Sequence, residues 1–544
     1  MLDRRDNYRD LRSHFRWQLP ERFNIAVAVC DDWARRAPER TALYDFHAEG
    51  EAIRMSYREL AERSNALANA LRAQGIRRGD RVALLLPQSF ETVIAHLAIY
   101  KLGAVALPLA LLFGVEALEY RLHSADAAGV VTNETGLAKL RPILGRLASL
   151  TALISVDGRD GEARGLNELI ASHSTSFEAE DTGPDDPAMM IFTSGTTGPP
   201  KGALHGHRVL LGHLPGVQMP HEFLPQPDDL LWTPADWAWA GGLLNVLLPG
   251  LYFGVPVVSS PAQKFDPEAA FVLMEKMRVR NAFIPPTALR MMKTVTGVRD
   301  NFDLNLRTIG SGGEALGRES YDWARAELGL TINEFYGQTE CNLVLSSCAA
   351  IGVSRGGAIG RPVPGHEVAV VDEAGRPLPA GEAGQIAVRR PDPVMFLEYW
   401  NNPEATAKKF VGDWMLTGDQ AVVDEDGYFH FFGRDDDVIT SAGYRIGPAE
   451  IEDCLTAHPA ISLAAAVGKP DALRTEIVKA YVVLKPGWQP DAHLAEEIKS
   501  WVRHRLSAHE YPREVAFVES MPLTTTGKVI RRIFRERARE EAGL

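Results

Sequence analysis

The sequence predicts an α/β protein with a large N-terminal domain of layered α/β subdomains, including a β-rich subregion, and a small α+β C-terminal domain. First, the chain has 544 residues, too many for one hydrophobic core, so at least two domains are expected. Second, short apolar runs alternate with amphipathic segments over the first 135 residues, which is typical of parallel sheets covered by helices. Third, the pattern changes to short alternating strands around residues 356–433.

The N-terminal part alternates between predicted helices and strands. The segments with helical spacing are YRELAERSNALANALRAQG, SFETVIAHLAIYKLG and VEALEYRLHSADA. The short apolar runs are RVALLLP, AVALPL and GVVTN, and the same pattern resumes at PAMMIFTSG, NAFIPP and TIGSGGEAL. Because these runs are apolar almost without a break, we expect strands buried on both faces, as in a parallel sheet.

The remaining elements follow in two groups. The β-rich subregion is predicted from HEVAVVDEAGRPL, GQIAVRR and GYFHFFG. The C-terminal unit is predicted from GPAEIEDCLTAHPA, a helix opened by Pro448, from the strand KAYVVLK and from the helix HLAEEIKSWVRHRLS. We place the boundary in the charged stretch that begins at Arg434, which gives domains 1–434 and 435–544.

Composition excludes several classes of function. The net charge of −13 argues against broad nucleic-acid binding and against an electrostatic hold on anionic membranes. The four cysteines form no CxxC pair, so we expect neither a disulfide framework nor a zinc site, and a reducing, cytoplasmic compartment. The N-terminus has no apolar h-region, and two apolar stretches are broken by Pro and Gly. We therefore expect no secretory signal and no membrane span.

A glycine-rich stretch, MMIFTSGTTGPPKGALHGH, follows a predicted strand. Glycines let the backbone turn its N–H groups inward, hydroxyls add donors, and a lysine supplies charge, so the stretch is typical of a polyphosphate cradle. It is not a Walker A loop, because no GK[ST] stands at the required spacing. A flexible turn is the alternative. The residues of the cradle are Thr193, Ser194, Gly195, Thr196, Thr197, Gly198 and Lys201.

This stretch resembles the phosphate loop of the adenylate-forming superfamily, which comprises acyl-CoA synthetases, luciferases and peptide-synthetase adenylation domains. Further motifs of that family follow in order: SGGEAL, EFYGQTE, LTGD, GRDDDVITSAGYRIGPAEIE and PLTTTGK. The runs TPADWAW, KFDP, SAGYRIGP and EYPREVAFV look most similar to medium-chain acyl-CoA synthetases. The resemblance implies an AMP-forming acyl-CoA ligase: acid and ATP give acyl-AMP and pyrophosphate, and CoA then gives acyl-CoA and AMP.

The resemblance also implies the residues for ATP and Mg²⁺. Lys528 would bridge the substrate carboxylate and the α-phosphate, and Arg434 would meet the ribose and α-phosphate. Thr339 would donate its hydroxyl to the α-phosphate, and Glu340 would hold Mg²⁺, for which one carboxylate plus phosphate oxygens suffices. Asp419 would accept from both ribose hydroxyls. The expected adenine pocket consists of Gly313, Glu314, Ala315, Glu334, Phe335, Tyr336, Gly337 and Gln338.

For the second half-reaction, the resemblance implies a mobile C-terminal domain that turns about a hinge at Asp436. The residues expected to face CoA are Ala442, Gly443, Tyr444, Arg445 and Arg474. Gly443 would line the pantetheine tunnel, and the arginines suit CoA phosphates. Glu510 departs from the pattern, since relatives often carry a lysine there. Glutamate reverses the charge that would meet a CoA phosphate there.

The acyl pocket is expected from Trp239, Gly310, Ser311, Asn342 and Leu343. No arginine or lysine stands at these positions, which disfavours a dicarboxylate. A short-branched to medium-chain monocarboxylate is expected, with an aromatic or alicyclic acid, or loading of a carrier protein by a free-standing adenylation enzyme, as alternatives. A non-catalytic nucleotide binder is disfavoured because Lys528, Glu340 and Arg434 are present.

Two expectations concern partners. PLTTTGK resembles the Pro-x4-Gly-Lys pattern that protein acetyltransferases read in bacterial relatives, so an acetyltransferase and deacetylase pair acting on Lys528 is expected. Acetylation would remove the charge of the lysine. Monomer and homodimer both remain open.

Overall fold

The structure, a computed structural model, describes residues 1–46, 52–193, 199–261, 264–434, 437–441, 444–471, 474–506, 511–523 and 528–543. The strands in chain order are β1 (Thr41–Asp45), β2 (Ile53–Ser56), β3 (Arg81–Leu85), β4 (Val105–Pro108), β5 (Ala127–Thr132), β6 (Ala152–Ser155), β7 (Arg164–Gly165), β8 (Pro187–Thr193), β9 (Lys201–Gly206), β10 (Leu231–Trp232), β11 (Val257–Ser259), β12 (Asn281–Phe283), β13 (Thr308–Gly312), β14 (Ile332–Tyr336), β15 (Leu345–Ser346), β16 (Arg361–Pro362), β17 (Val368–Val371), β18 (Ala383–Arg389), β19 (Glu398–Tyr399), β20 (Phe410–Val411), β21 (Trp414–Val423), β22 (Phe429–Arg434), β23 (Ile439–Ser441), β24 (Tyr444–Ile446), β25 (Ile461–Asp471), β26 (Thr475–Leu484) and β27 (Glu514–Phe517).

The α-helices in chain order are α1 (Tyr8–His14), α2 (Asp32–Arg36), α3 (Tyr57–Ala73), α4 (Phe90–Lys101), α5 (Val115–Ser124), α6 (Glu134–Leu140), α7 (Leu166–Ser172), α8 (Val209–Gln218), α9 (Ala240–Gly242), α10 (Leu248–Phe253), α11 (Pro267–Lys276), α12 (Pro286–Met292), α13 (Val298–Asn301), α14 (Arg318–Trp323), α15 (Pro403–Lys408), α16 (Pro448–Thr456), α17 (Ala492–Arg505) and α18 (Arg531–Glu541). Among the described residues, none of these helices is long and apolar enough to cross a membrane.

Two large sheets form the N-terminal domain. One has the order β16-β15-β14-β13-β12-β10-β11-β1-β2 and the other β19-β9-β8-β4-β3-β5-β6-β7. Their central strands are parallel, as the apolar runs predicted. The edges differ from that prediction: β2, β15 and β16 in the first sheet, and β9 and β19 in the second, run antiparallel. The reason for β9 is that a short loop after β8 allows a hairpin but no crossover helix.

A shared layer of helices holds the two sheets together. One apolar cluster includes Leu43 of β1, Val82 of β3 and Ile94 of α4, so α4 lies in the core between the sheets. The helix is buried along nearly its whole length. Its last residue, Lys101, is fully buried and pairs with Asp31 at 2.7 Å, as a buried charge requires.

Two smaller sheets follow. The β-rich subregion is an antiparallel sheet in the order β17-β18-β21-β20, with β22 on β21. The C-terminal unit has the order β24-β23-β26-β25, with β27 parallel to β26 and with helices α16 to α18. Both were predicted. The boundary at residue 434 stays a prediction, because Asp435 and Asp436 lie outside the described residues.

Candidate active site

The candidate site lies where β13 and β14 end. These neighbouring strands are parallel, so the segments after them, which begin at Gly313 and Gly337, emerge at the same edge of the sheet, where α/β folds bind ligands. A Cβ on Gly337 would lie 2.0 Å from the backbone nitrogen of Leu343. Only glycine therefore permits the tight turn that carries Thr339 and Glu340.

Asp419 is the centre of a polar group between the first and third sheets. The Tyr336 hydroxyl donates to its Oδ2 at 2.5 Å, and the Gln338 amide does so at 3.1 Å. Arg434 is the register partner of Asp419 across β21 and β22, and its Nε lies 4.0 Å from Oδ1. Burial raises the pKa of Asp419, while Arg434 and Tyr336 oppose that shift. The carboxylate is thus oriented by two donors and lies beside a cation.

Glu340 lies in a single turn, Thr339–Cys341, directly after β14. It is buried, and the hydroxyl of Tyr399 donates a hydrogen bond to its Oε1. Burial raises the pKa of Tyr399, and the carboxylate of Glu340 raises it further. The phenol therefore keeps its proton and acts as a donor, which fixes the direction of the carboxylate.

The two ends of the phosphate loop are described, whereas Ser194–Gly198 lie outside the described residues. Thr193 ends β8 and Lys201 opens β9, and the two are register partners. The ammonium of Lys201 lies 5.3 Å from the centre of the Tyr399 ring, within cation–π range. Tyr399 thus contacts both Lys201 and Glu340, and joins the phosphate loop to the carboxylate at the end of β14.

Lys528 approaches this site from the C-terminal unit. Partial desolvation lowers the pKa of Lys528; Glu314 and Asp419 oppose the shift, and Arg434 adds to it. Residues 524–527 lie outside the described residues, but Leu523 and Val529 pair at the base of the loop. Lys528 therefore lies close enough to Asp419, Arg434 and Glu314 for their charges to act on its pKa.

Glu314, whose charge raises the pKa of Lys528, is held by hydrogen bonds from α12. The Thr287 hydroxyl lies 2.9 Å from both of its carboxylate oxygens, and Arg290 donates to Oε2 at 2.6 Å. The neighbouring Glu334 is buried, and the backbone N–H of Leu316 donates to its Oε1 at 3.1 Å. Glu314 and Glu334 thus fix both ends of the segment that we expect to border the adenine.

The base of the Lys528 loop is tied to the C-terminal unit through Arg531. Arg531 donates to both oxygens of Glu452, at 2.8 and 2.5 Å, and to Asp437 at 3.3 Å. Desolvation alone would lower the pKa of Arg531, but Glu452 and Asp437 raise it. This bidentate pair is geometrically specific, so it fixes the loop that carries the lysine relative to α16.

The predicted acyl-pocket residues lie in two groups. Trp239 precedes α9, and its ring meets Phe113 edge-on at 5.8 Å. Gly310 of β13 faces Phe335, whose ring carbon would lie 3.2 Å from an added Cβ. The Ser311 hydroxyl donates to the carbonyl of Ile284 at 2.8 Å, so it is satisfied within the sheet.

The other two acyl-pocket residues follow Glu340. The Asn342 amide lies 2.8 Å from Nε2 of His213, which also contacts Asn245 at 2.8 Å. Leu343 is buried with a φ of 59°, a conformation that is rare for this residue type and is concentrated at functional sites.

Two of the residues assigned to CoA lie on the strand at one end of the C-terminal sheet. Tyr444 and Arg445 belong to β24, and Ala442 and Gly443 lie outside the described residues, as do Asp436 and Glu510. Arg474 immediately precedes Thr475, which pairs with Ser441 of β23. The fold thus brings Arg474 next to the β23–β24 hairpin.

Several residues of the site were missed from the sequence. Tyr399 and Arg290 act through contacts with Glu340 and Glu314. Lys409 donates to the side chain of Gln338 at 3.1 Å. All three stand outside the glycine-rich and acidic motifs, so no local pattern distinguishes them from surface residues.

The described residues contain no group of three or more His, Cys, Asp or Glu side chains that could hold a metal ion. One buried carboxylate, linked to the phosphate-loop lysine through Tyr399, nevertheless fits Mg²⁺, which usually takes one or two carboxylates together with phosphate oxygens. Glu340 is that carboxylate. When bound, Mg²⁺ would neutralise charge on the polyphosphate.

This fold and site define an adenylate-forming ligase. Residues 30–400 match the AMP-binding enzyme family and residues 450–528 match the AMP-binding enzyme C-terminal domain, so the chain belongs to that family. It is 33% identical to the mitochondrial acyl-coenzyme A synthetase ACSM3 of Mus musculus over 98% of this chain and 93% of that relative. The chain is accordingly an AMP-forming acyl-CoA synthetase.

Three solved structures extend the comparison. The anthranilate CoA ligase AuaEII in complex with anthranoyl-AMP superposes with a TM-score of 0.89 at 29% identity, over 97% of this chain and 99% of that one. ATP-bound MatB from Rhodopseudomonas palustris gives 0.84 at 30% identity, over 95% and 99% of the two chains, whereas apo MatB gives 0.75. The arrangement described here is therefore closer to the ATP-bound form of MatB than to its apo form.

Proposed function

We propose that this enzyme joins a short-branched to medium-chain monocarboxylic acid to CoA, with Lys528 serving the first half-reaction and the β23–β24 hairpin serving the second. The observation that supports the division is that the charges of Lys528 in the C-terminal unit and of Asp419 in the N-terminal domain act on each other's pKa, with Arg434 beside Asp419. Glu314 and Asp419 are carboxylates whose charge raises the pKa of Lys528, and the substrate anions would act on the lysine in the same sense.

In the first half-reaction a carboxylate attacks the α-phosphate of ATP, and two anions must approach each other. The barrier is therefore lowered mainly by cations and oriented donors. Lys528 would bridge the two anions, Arg434 would meet the α-phosphate and ribose, and Thr339 would donate its hydroxyl. Asp419, already oriented by Tyr336, would accept from the ribose hydroxyls. The loop from Thr193 to Lys201 would hold the departing pyrophosphate.

In the second half-reaction the CoA thiol displaces AMP from the acyl-adenylate. A turn about Asp436 would withdraw Lys528 and bring residues 442–445 to the adenylate, with Arg474 beside them to meet CoA phosphate. Hinges of this kind need only a few residues that tolerate a large change in φ and ψ. Acetylation of Lys528 would remove its charge and would stop the first half-reaction alone.

The preference for a monocarboxylate rests on the charges of the site. None of the five residues assigned to the acyl pocket is ionisable. Trp239 contacts Phe113, and Gly310 contacts Phe335, so this wall is aromatic and apolar. A second carboxylate would be buried there without a partner, at a cost that usually excludes it. The similarity to ACSM3, named an acyl-coenzyme A synthetase, supports an acyl-CoA as the product.

An aromatic or alicyclic acid is the second candidate. The observation that favours it is the similarity to AuaEII, named an anthranilate CoA ligase, together with the aromatic side chains around Trp239 and Gly310. Loading of a carrier protein in place of CoA is the third. Arg474, which suits a CoA phosphate, favours CoA over a carrier.

The test is pyrophosphate release with straight and branched acids from C2 to C12, benzoate and cyclohexanecarboxylate, followed by AMP release with and without CoA. We expect the highest kcat/KM with a branched or medium-chain acid, and faster AMP release when CoA is added. A maximum at benzoate would support the second candidate. AMP release that CoA leaves unchanged would contradict CoA as the acceptor.

A further inference from the structure

The two domains meet at the first turn of α14, where Asp453 reaches over from α16. Its Oδ2 accepts a hydrogen bond of 3.2 Å from the backbone N–H of Arg318, the first residue of α14. The N-cap position, Gly317, has no side chain and makes no capping bond of its own. The carboxylate that caps this helix therefore comes from the other domain. A negative charge is favourable at the N-terminus of a helix.

Gly317 leaves the space that this contact needs. Its φ is 79°, and a Cβ built on it would lie 2.0 Å from Oδ1 of Asp453. Any other residue would thus be strained at this φ and would also push the carboxylate away. The glycine fits both the turn and the approach of the second domain.

Charges of both signs surround Asp453. Burial raises its pKa, the Arg318 N–H opposes the shift, Glu319 adds to it, and Lys293 and Arg290 lower it. Lys293 also pairs with Glu319 at 2.7 Å. Burial raises the pKa of Glu334, a residue of β14, to about 7, and the charge of Asp453 adds to the effect. The carboxylate is thus partly desolvated when the domains are docked, and it depends on the N–H of α14.

The contact is also linked directly to the catalytic lysine. Glu452, the residue before Asp453 on α16, holds Arg531 through two hydrogen bonds. Arg531 follows Lys528 by three positions. Two successive residues of α16 therefore bind the N-terminal domain and the base of the Lys528 loop. Because α16 is one rigid element, the position of the Lys528 loop depends on the contact with α14.

We propose that Asp453 is a positioning residue for adenylation: by capping α14 across the domain interface, it holds the C-terminal unit where Lys528 reaches the nucleotide. This inference rests on the proposed role of Lys528. Loss of an N-cap carboxylate should lower the equilibrium constant for docking about three- to tenfold. The thioester step, which uses another orientation, does not need the contact.

The test compares Asp453→Ala with Asp453→Asn in the full-length enzyme. ATP–pyrophosphate exchange in the presence of the acid measures adenylation, and AMP release from supplied acyl-adenylate and CoA measures thioester formation. We expect Asp453→Ala to slow exchange about three- to tenfold and to leave thioester formation unchanged. Asp453→Asn should retain most of the exchange rate, because its amide oxygen still accepts from Arg318.

Asp491→Ala is the matched control. Asp491 caps α17 within the C-terminal unit, accepting from the N–H of Leu494 at 2.7 Å. Loss of the Asp491 carboxylate should lower the melting temperature about as much as Asp453→Ala does, while leaving both half-reactions intact. Equal loss of both half-reactions in Asp453→Ala, no loss in either, or the same selective loss in Asp491→Ala would overturn the proposal.

A double-mutant cycle with Gly317→Ala tests the interface itself. Alanine at 317 should slow exchange in the wild-type background through its clash with Asp453, and much less in the Asp453→Ala background, where only the backbone strain remains. Additive effects would contradict the contact. Lys528→Ala separates the two proposals. If Lys528→Ala leaves ATP–pyrophosphate exchange intact, the role of Lys528 in the proposed function is wrong. If Lys528→Ala abolishes exchange and Asp453→Ala leaves it unchanged, only the positioning role of Asp453 is refuted.

Discussion

The hydroxyl of Tyr399 donates a hydrogen bond to Glu340. Tyr399 belongs to an edge strand that pairs with β9, which begins at Lys201 of the phosphate loop. Glu340 follows β14 of the other large sheet. The bond therefore crosses from one sheet to the other at the place where we assign Mg²⁺ and the polyphosphate.

Tyr399→Phe should raise the Mg²⁺ concentration needed for half-maximal ATP–pyrophosphate exchange by about tenfold or more. The reason is that a buried carboxylate loses a charge-assisted hydrogen bond, an interaction of about 1.5–3 kcal/mol. The ring remains, so the contact with Lys201 persists. A titration with Mg²⁺ at saturating ATP measures the effect.

Tyr120→Phe is the control for that variant. The Tyr120 hydroxyl donates to the carbonyl of Pro200 at 3.0 Å on the exposed side of the same loop. Its loss should leave the Mg²⁺ dependence unchanged. An unchanged Mg²⁺ dependence in Tyr399→Phe would show that the bond does not orient the carboxylate.

Asp419→Asn should raise the KM for ATP about tenfold or more, with a smaller effect on the KM for the acid. Two oriented donors already point at the carboxylate, and the amide would lose acceptor capacity for the ribose hydroxyls, each bond to a charged group contributing about 1.5–3 kcal/mol. Initial rates at varied ATP measure it. Comparable affinity for ATP and 2′,3′-dideoxy-ATP in the wild type would contradict the assignment.

Acid should destabilise this enzyme steeply below about pH 6.5. Burial lowers the pKa of five histidines to about 3 or 4, namely His96, His205, His207, His213 and His221. Between pH 6.5 and 4 the unfolded chain binds protons that the folded chain does not. Each group should therefore remove up to about 1.4 kcal/mol of unfolding free energy per pH unit. Urea unfolding at pH 7.5, 6.5 and 5.5 measures the slope.

His205→Phe tests that account with one group. Both ring nitrogens of His205 lack a hydrogen-bond partner in the described part of the chain, so the replacement keeps the ring and removes a titration. The pH slope should become shallower. Glu334 acts in the opposite sense: its folded pKa of about 7 means that stability is gained as pH falls through 7. A slope that His205→Phe leaves unchanged would contradict the assignment to buried histidines.

Local patterns in the sequence were sufficient for the elements and the order of the site motifs. The apolar run around Val82 and the helix opened by Pro448 both appear as expected, because burial on both faces and a proline at the first turn leave clear signatures. The antiparallel edge strands were not predicted, because a strand such as β19 has only two residues and leaves no pattern in the sequence.

The contacts that individual side chains make could not be predicted from the sequence. Asn342 contacts His213, which lies on α8, and the Ser311 hydroxyl donates within the sheet. Asp453 looked like one acidic residue among several on a helix. Its contact with Arg318 spans 135 positions, and such long-range pairs depend on how domains pack, which no local pattern encodes.

The role of Lys528 in adenylation is tested most directly by measuring both half-reactions in Lys528→Ala. Arg532→Ala, which removes a nearby exposed cation, is the control. We expect ATP–pyrophosphate exchange to fall by about two orders of magnitude or more in Lys528→Ala, because one charged group that stabilises the transition state is lost. AMP release from supplied acyl-adenylate and CoA should stay close to wild type, and Arg532→Ala should leave both unchanged. An equal loss of both half-reactions in Lys528→Ala would contradict the claim that the lysine serves adenylation alone.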